Sequence, residues 1–302
     1  MTSLQDWYLG ARPKTLPAAI APVLVASSLA FFDDAFNITL TALAALVALS
    51  LQIGVNYAND YSDGIKGTDD ERVGPLRLVG GKLATAKSVK RASILSFLIS
   101  AVSGLLLTLI SEVWVFLPLG FFAILSAWYY TGGKSPYGYR GFGEISVFFW
   151  FGIVAVLGTY YSQTETLTLP AILLSFGSGG FACALLVINN LRDRKQDEKV
   201  GKRTLAVKLG DKNTRWLYVV LLWLGFGSSA VIGLLYFLAA NAPLFAALGF
   251  LTSILAHAPG RHVLSGSTGR ELIKVLQLTT RTQLFWAITT SIGIIASRYL
   301  LS

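Results

Sequence analysis

Two stretches of acidic and amide side chains carry the chemistry of this chain. The first holds Asn56, Asn59, Asp60 and Asp63 and runs on to Asp69 and Asp70; the second holds Asn189, Asn190, Asp193 and Asp197. At about 100° per residue, Asn56, Asp60 and Asp63 share one face of a helix, with Asn59 beside them. Asn189, Asp193 and Asp197 form an i, i+4, i+8 stripe on a second helix. Carboxylates this close repel one another unless a cation lies between them. Magnesium takes oxygen ligands in near-octahedral geometry and commonly shares carboxylates with the phosphates of a substrate. Asp60, Asp63, Asp193 and Asp197 are therefore the expected catalytic metal ligands. Asn56 and Asn189 offer amide oxygens or orient water, and Asp69 lies beside the first cluster. A solvated acidic loop is the plain alternative for either cluster alone, but it accounts poorly for two clusters in corresponding places. The pattern points to Mg2+ carrying a diphosphate.

A diphosphate also needs cations, which donate charge-assisted hydrogen bonds to its oxygens. Lys66, Arg72 and Arg77 follow the first cluster, while Arg192, Lys195 and Lys202 surround the second. Lys134 and Arg140 lie in an aromatic segment with Tyr130 and Tyr139. All eight cations are candidate diphosphate contacts; topology and solvation are the plain alternative for any one of them. Tyr130 and Tyr139 are candidates to line an aromatic pocket, and equally suit an interfacial belt. Arg12 and Lys14, in the opening Arg12-Pro13-Lys14-Thr15-Leu16-Pro17, are candidates to meet a substrate carboxylate. Glu144 is a candidate proton acceptor, and His257 and His262 read as surface residues. Residues 74–82 read as ordered turns over the site and do not form a Walker A sequence.

The elements that position these groups are very apolar. Of 302 residues, 54% are hydrophobic and 14% charged, against about 25% charged in soluble domains. Nine candidate spans fall at about 15–32, 40–59, 93–110, 113–131, 143–161, 169–190, 215–237, 242–258 and 282–300, each near the ~20 residues that cross a ~30 Å hydrocarbon core. Backbone facing lipid must bond to itself, so the spans should be helices. Of the 25 Lys and Arg residues, only Arg298 falls outside the N-terminal segment and alternate loops. The positive-inside rule then places the N-terminus and the basic loops in the cytoplasm and the C-terminus on the opposite side. The net charge of +9 follows from that topology and from anionic lipid headgroups; no motif supports nucleic-acid binding. One cysteine, Cys183, rules out a disulfide within the chain. The expected fold is an all-α integral membrane protein: one polytopic domain over 1–302, with cytoplasmic active-site loops at 60–92 and 191–214. An enzyme acting on a diphosphate and a transporter of an anionic lipid or metabolite both fit this plan.

The opening at 12–17, the first acidic cluster, the run Gly74-Pro75-Leu76-Arg77, the Asn189-Asn190-x-x-Asp193-x-x-x-Asp197 cluster and the following Gly201-Lys202-Arg203-Thr204-Leu205-Ala206 together resemble the UbiA superfamily of intramembrane aromatic prenyltransferases, over nearly the whole chain. The opening and the first cluster are most similar to the branch acting on 1,4-dihydroxy-2-naphthoate. The resemblance implies nine helices around a central cavity with a lateral route to lipid, and a Mg2+-dependent aromatic prenyltransferase. It implies prenyl transfer from a diphosphate to 1,4-dihydroxy-2-naphthoate with decarboxylation, in phylloquinone or menaquinone biosynthesis, in a cell inner membrane or a thylakoid membrane. The form of residues 74–81 looks like the photosynthetic branch and implies phytyl diphosphate as donor. Homogentisate and 4-hydroxybenzoate are the acceptors of related transferases.

Overall fold

The described part of the computed structural model comprises residues 2–67, 77–239 and 242–301. Long apolar runs bounded by capping residues give helices throughout, and no strand occurs among the described residues. Asn37 caps α3 (Ile38–Ile65) by accepting from the Thr39 and Leu40 amides, and Thr85 caps α4 (Ala86–Ser111) by accepting from Ser88. Thr168 caps α8 (Leu169–Lys199) in the same way through Ala171. Such caps satisfy amides that have no partner in the first turn, each contributing about 1 kcal/mol.

Before these helices come α1 (Leu4–Gly10) and α2 (Pro17–Phe32); between and after them come α5 (Phe116–Tyr129), α6 (Gly143–Val147), a π-helical segment Phe148–Val154, α7 (Ala155–Thr164), α9 (Leu205–Ala239), α10 (Leu248–Leu251), α11 (His257–Leu264) and α12 (Glu271–Leu301). Six stretches are long and apolar enough to cross a membrane: α3, α4, Gly143–Thr164, α8, most of α9, and α12. The pair Leu4–Thr15 and Pro17–Phe32, bent by 50°, makes a seventh.

The sequence predicts nine spans; by length and apolarity the described residues give six, or seven with the bent pair. The fourth expected span is α5, whose 14 residues rise only about 21 Å. The eighth, 242–258, is not one α-helix: 3-10 turns at Leu244–Ala247 and Thr252–Ala256 alternate with α10 and α11. A 3-10 turn climbs faster with poorer hydrogen bonds and breaks the 3.6-residue repeat.

The main core joins α2, α7, α8, α9 and α12 around Tyr160, Phe181, Tyr218, Phe226 and Trp286, all fully buried. Close approach of α8 and α9 depends on small residues: a β-carbon on Gly177 would stand 2.2 Å from Ser228 Oγ, and one on Gly180 2.7 Å from the Leu221 carbonyl. At 28 and 31 residues, α3 and α8 are ~42 and ~46 Å long. Both exceed a ~30 Å hydrocarbon core, so their C-terminal turns, which bear the acidic clusters, extend past the apolar layer.

Candidate active site

The C-terminal ends of α3 and α8 meet at the same end of the bundle. A small polar chamber of about 70 Å3 lies between them, bordered by Asn59 and Asp63 from α3 and by Asn189, Asn190, Asp193, Gln196 and Asp197 from α8. Arg12, Arg77 and Lys202 add positive charge to its wall. Three carboxylates thus face three cations. A diphosphate entering alone would bring several negative charges into this balance, whereas one accompanied by a divalent cation would bring far fewer.

Asp63 is the hub. Its Oδ1 accepts from Lys202 Nζ at 3.1 Å and from the Tyr139 hydroxyl, and its Oδ2 accepts from Arg77 Nη2 at 3.3 Å. The Tyr139 ring lies under two ammonium groups, Lys202 at 4.3 Å and Lys66 at 4.9 Å from its centroid. Lys66 also donates to the Thr131 carbonyl at 2.8 Å. Burial lowers the Lys66 pKa from its ordinary value; Asp63 opposes the change and Lys202 adds to it. The turn carrying Tyr139 is fixed by the Arg203 amide, which donates to the Tyr139 carbonyl at 2.7 Å. On α8, Arg192 grips Asp193 with two 2.7 Å hydrogen bonds, and its fully buried side chain keeps one terminal nitrogen, Nη1, without a partner.

Asp60 faces elsewhere. It is 1% exposed and does not border the chamber; its two oxygens accept from the Leu78 and Val79 amides at 2.7 and 3.0 Å. Leu78 is in turn buried against Tyr57 and Val89. Asp60 therefore pins the turn that begins at Arg77, and this turn delivers Arg77 to Asp63. Asn56 also lies outside the chamber: its Nδ2 donates to the Ala11 carbonyl at 2.9 Å, tying the N-terminal segment to α3.

The remaining sequence candidates divide clearly. Arg12, Arg77, Lys202, Tyr130 and Tyr139 border the chamber, and Arg192 and Lys14 border the larger cavity beyond it. Lys134, Arg140 and Lys195 are exposed and border neither cavity. Asp69 and Arg72 lie outside the described residues. Sequence reasoning placed Asn59 beside the first cluster without giving it a role, and it missed Gln196 and Thr131, whose Oγ1 donates to Asn59 Oδ1 at 2.7 Å. Asn59 stands four residues before Asp63, a helical spacing that carries this signal in the sequence.

Glu144 is 7% exposed and sits behind the second cluster. Its Oε1 accepts from Asn190 Nδ2 at 2.9 Å, while Oε2 has no partner. The contact fixes the orientation of the Asn190 amide at the chamber wall.

The chamber adjoins a cavity of about 950 Å3; Arg12, Asn59, Tyr130 and Asn189 border both. Arg12 stands at this junction with a left-handed backbone, φ 55° and ψ 62°. For a non-glycine residue that conformation costs ~1–2 kcal/mol, and it breaks the helix between α1 and α2. The cavity wall is otherwise mostly aliphatic and aromatic and extends to α4 and α5. There Leu105, Leu117 and Phe121 border the cavity and are 45%, 43% and 60% exposed. The apolar cavity thus reaches the face of the bundle that lipid would cover.

The model of the UbiA prenyltransferase family matches residues 19–271. The chain belongs to that family. A Mycobacterium tuberculosis protein named 1,4-dihydroxy-2-naphthoate octaprenyltransferase is 47% identical over 291 residues, covering 96% of this chain and 97% of its own length. The Escherichia coli protein of the same name is 42% identical over 224 residues, 72% of this chain and 73% of its own. Among solved structures, a UbiA homologue from Aeropyrum pernix superposes with a TM-score of 0.66 at 16% identity, covering 92% of this chain and 97% of that one. A UbiA homologue from Archaeoglobus fulgidus bound to DMAPP and Mg2+ gives 0.65 at 10% identity, covering 96% and 99%. These likenesses establish the all-helical fold of a multi-pass integral membrane protein.

The donor set fits magnesium: Asp63, Asp193 and Asp197, together with the amide oxygens of Asn59, Asn189, Asn190 and Gln196, are oxygen ligands on one chamber. No three acidic, His or Cys side chains among the described residues converge closely enough to enclose an ion unaided. That arrangement suits a cation that completes its shell with phosphate oxygens and water.

Proposed function

We propose that the protein transfers a polyprenyl group from its diphosphate to 1,4-dihydroxy-2-naphthoate, releasing carbon dioxide and diphosphate, on the route to menaquinone. The observation that carries this reading is the junction of a charged, oxygen-rich chamber with a large apolar cavity through Arg12, Asn59, Tyr130 and Asn189. An amphiphile with an anionic head and a hydrocarbon tail matches both ends. The names of the M. tuberculosis and E. coli relatives support the acceptor and a long tail.

Magnesium bound with the diphosphate would neutralise the leaving group and stabilise charge on its oxygens. Asp63, Asp193 and Asp197, with the surrounding amides, would hold it. Arg77 and Lys202 now pair with Asp63; on ligand entry both can turn their N–H groups to phosphate oxygens. Asp60 holds the Arg77 turn for this purpose, and Lys66 and Lys202 clamp the Tyr139 ring at the rim. In the reaction the prenyl C1–O bond breaks with its electron pair going to diphosphate. The ring carbon bearing the carboxylate forms the new bond to C1, and the C–CO2 pair returns to the ring as carbon dioxide leaves. Tyr130 faces the junction where allylic positive charge develops, and an aromatic face attracts such charge. Arg12 and Lys14 border the cavity on that side and can meet the naphthoate carboxylate.

Each buried methylene of the tail contributes about 0.8 kcal/mol. The opening at Leu105, Leu117 and Phe121 lets a tail longer than the cavity continue into lipid. The segregation of Lys and Arg supports a chamber facing the cytoplasm of a bacterial inner membrane. The test is reconstituted protein with 1,4-dihydroxy-2-naphthoate, Mg2+ and a series of phytyl, geranylgeranyl and octaprenyl diphosphates. The expected result is a prenylated naphthoquinol, with diphosphate and carbon dioxide released one for one and the longest donor used best. Folded protein that makes no product from any donor refutes the proposal.

A further inference from the structure

A knot of hydroxyl groups interrupts the apolar wall of the large cavity. Ser126 Oγ lies 2.8 Å from the Tyr137 hydroxyl, the Tyr137 hydroxyl 2.9 Å from Ser146 Oγ, and the two serine oxygens 3.4 Å apart. Trp150 Nε1 donates to Ser126 Oγ at 2.8 Å, and the Tyr137 hydroxyl is also placed to donate to the Ser126 carbonyl at 2.9 Å. All four residues border the cavity. They come from α5, from the 3-10 turn Tyr137–Arg140, from α6 and from the π-helical segment. The π bulge carries the Trp150 ring, and such bulges recur at functional sites.

The position of the knot matters as much as its chemistry. The Tyr137 ring packs edge-on against Tyr130 at 5.6 Å between centroids, and Tyr130 borders both the cavity and the polar chamber. The knot is therefore one aromatic ring away from the place where C1 of a chamber-bound prenyl diphosphate must emerge. A few polar groups in an apolar pocket fix the orientation of its ligand. Each hydroxyl both donates and accepts and can turn to suit.

We propose that Tyr137, Ser126 and Ser146 form the subsite for a phenolic hydroxyl of the aromatic acceptor. This rests on the reaction proposed above and names the residues that select its acceptor. A ring hydroxyl donating to Tyr137 or Ser146 leaves its oxygen lone pair conjugated with the ring, so the ring carbon stays electron-rich while its face is held towards C1. The knot makes and breaks no covalent bond; its members are binding and positioning residues. A purely internal role, joining α5 to α6, would affect stability without discriminating among ligands.

The test is direct binding to full-length protein in lipid nanodiscs, without donor. The ligands are 1-hydroxy-2-naphthoate and 2-naphthoate, which differ by one hydroxyl, and the proteins are wild type, Tyr137→Phe and Ser146→Ala. One net hydrogen bond of about 1.4 kcal/mol corresponds to about tenfold in affinity. Wild type should bind the hydroxylated ligand about tenfold tighter. Each variant should bring the ratio close to one while leaving 2-naphthoate affinity within about twofold. A wild-type ratio of one, or a ratio that both variants preserve, overturns the subsite. If one variant fails to fold, the wild-type ratio and the other variant still decide. Failure of wild type to prenylate any naphthoate refutes the parent reaction instead, and the binding ratio is read independently of it.

Discussion

Replacing Asp60 with Asn separates two roles that the first acidic cluster combines. The Asp60 carboxylate accepts two backbone amides, Leu78 at 2.7 Å and Val79 at 3.0 Å, and is itself 1% exposed. An asparagine keeps one acceptor oxygen but turns an NH2 group towards the second amide. One charge-assisted hydrogen bond is lost, the other is weakened, and a buried donor is left unsatisfied. At about 1.5–3 kcal/mol for a hydrogen bond to a charged group, the turn loses roughly 2–4 kcal/mol. Arg77 is carried by that turn and then no longer sits 3.3 Å from Asp63. If all of this energy is lost from donor binding in the transition state, kcat/KM for the prenyl diphosphate falls about 30- to 900-fold, since each 1.36 kcal/mol is tenfold. The informative assay pairs kinetics with hydrogen exchange. An anchoring Asp60 predicts that the 78 and 79 amides lose protection while the Mg2+ concentration giving half-maximal rate moves little. Unchanged protection of those amides together with a large shift in Mg2+ dependence would refute the anchoring argument and make Asp60 a direct metal ligand.

The other predictions concern separate contacts. Lys202→Met removes the ammonium shared by Asp63 and the Tyr139 ring; the KM for prenyl diphosphate should rise tenfold or more with the acceptor KM unchanged, and Lys202→Arg should recover part of the loss in the same assay. Asp193→Ala strands the fully buried Arg192 side chain, so thermal unfolding in detergent should report a loss of about 3–5 kcal/mol. Chelating Mg2+ should abolish turnover and donor binding, but titration should find acceptor binding intact. Gly177→Val places a side chain where even a β-carbon would be 2.2 Å from Ser228 Oγ; overpacking of about 1–3 kcal/mol or more should lower the melting temperature, and an unchanged value would refute the close packing of α8 on α9.

Much of the site was legible because it depends on local periodicity. The stripe Asn189, Asp193 and Asp197 lies on one side of one helix, and all three residues border the chamber as their spacing implies. Lys202 and Tyr139 were readable as charge and aromatic character near the motifs. The first cluster was harder. Asn56, Asp60 and Asp63 share a broad helical face, yet they face three different neighbours: Ala11, the Leu78–Val79 amides, and the chamber. Helical spacing gives direction around an axis but not the identity of what packs there. The hydroxyl knot was invisible for the same reason, since Ser126, Tyr137 and Trp150 belong to separate elements.

Sequence alone determined that the chain crosses a membrane as helices, because about 20 apolar residues with internally bonded backbone have no other stable form in lipid. It also determined that two oxygen-rich clusters lie at the ends of such helices, because charge is excluded from the hydrocarbon. Only the tertiary structure decided which carboxylate faces the chamber and which holds a turn. Hydrogen bonds made at long sequence separation, such as Asp60 to Leu78 and Tyr139 to Asp63, depend on how the packed helices bring distant turns together, and neither hydropathy nor periodicity encodes that register.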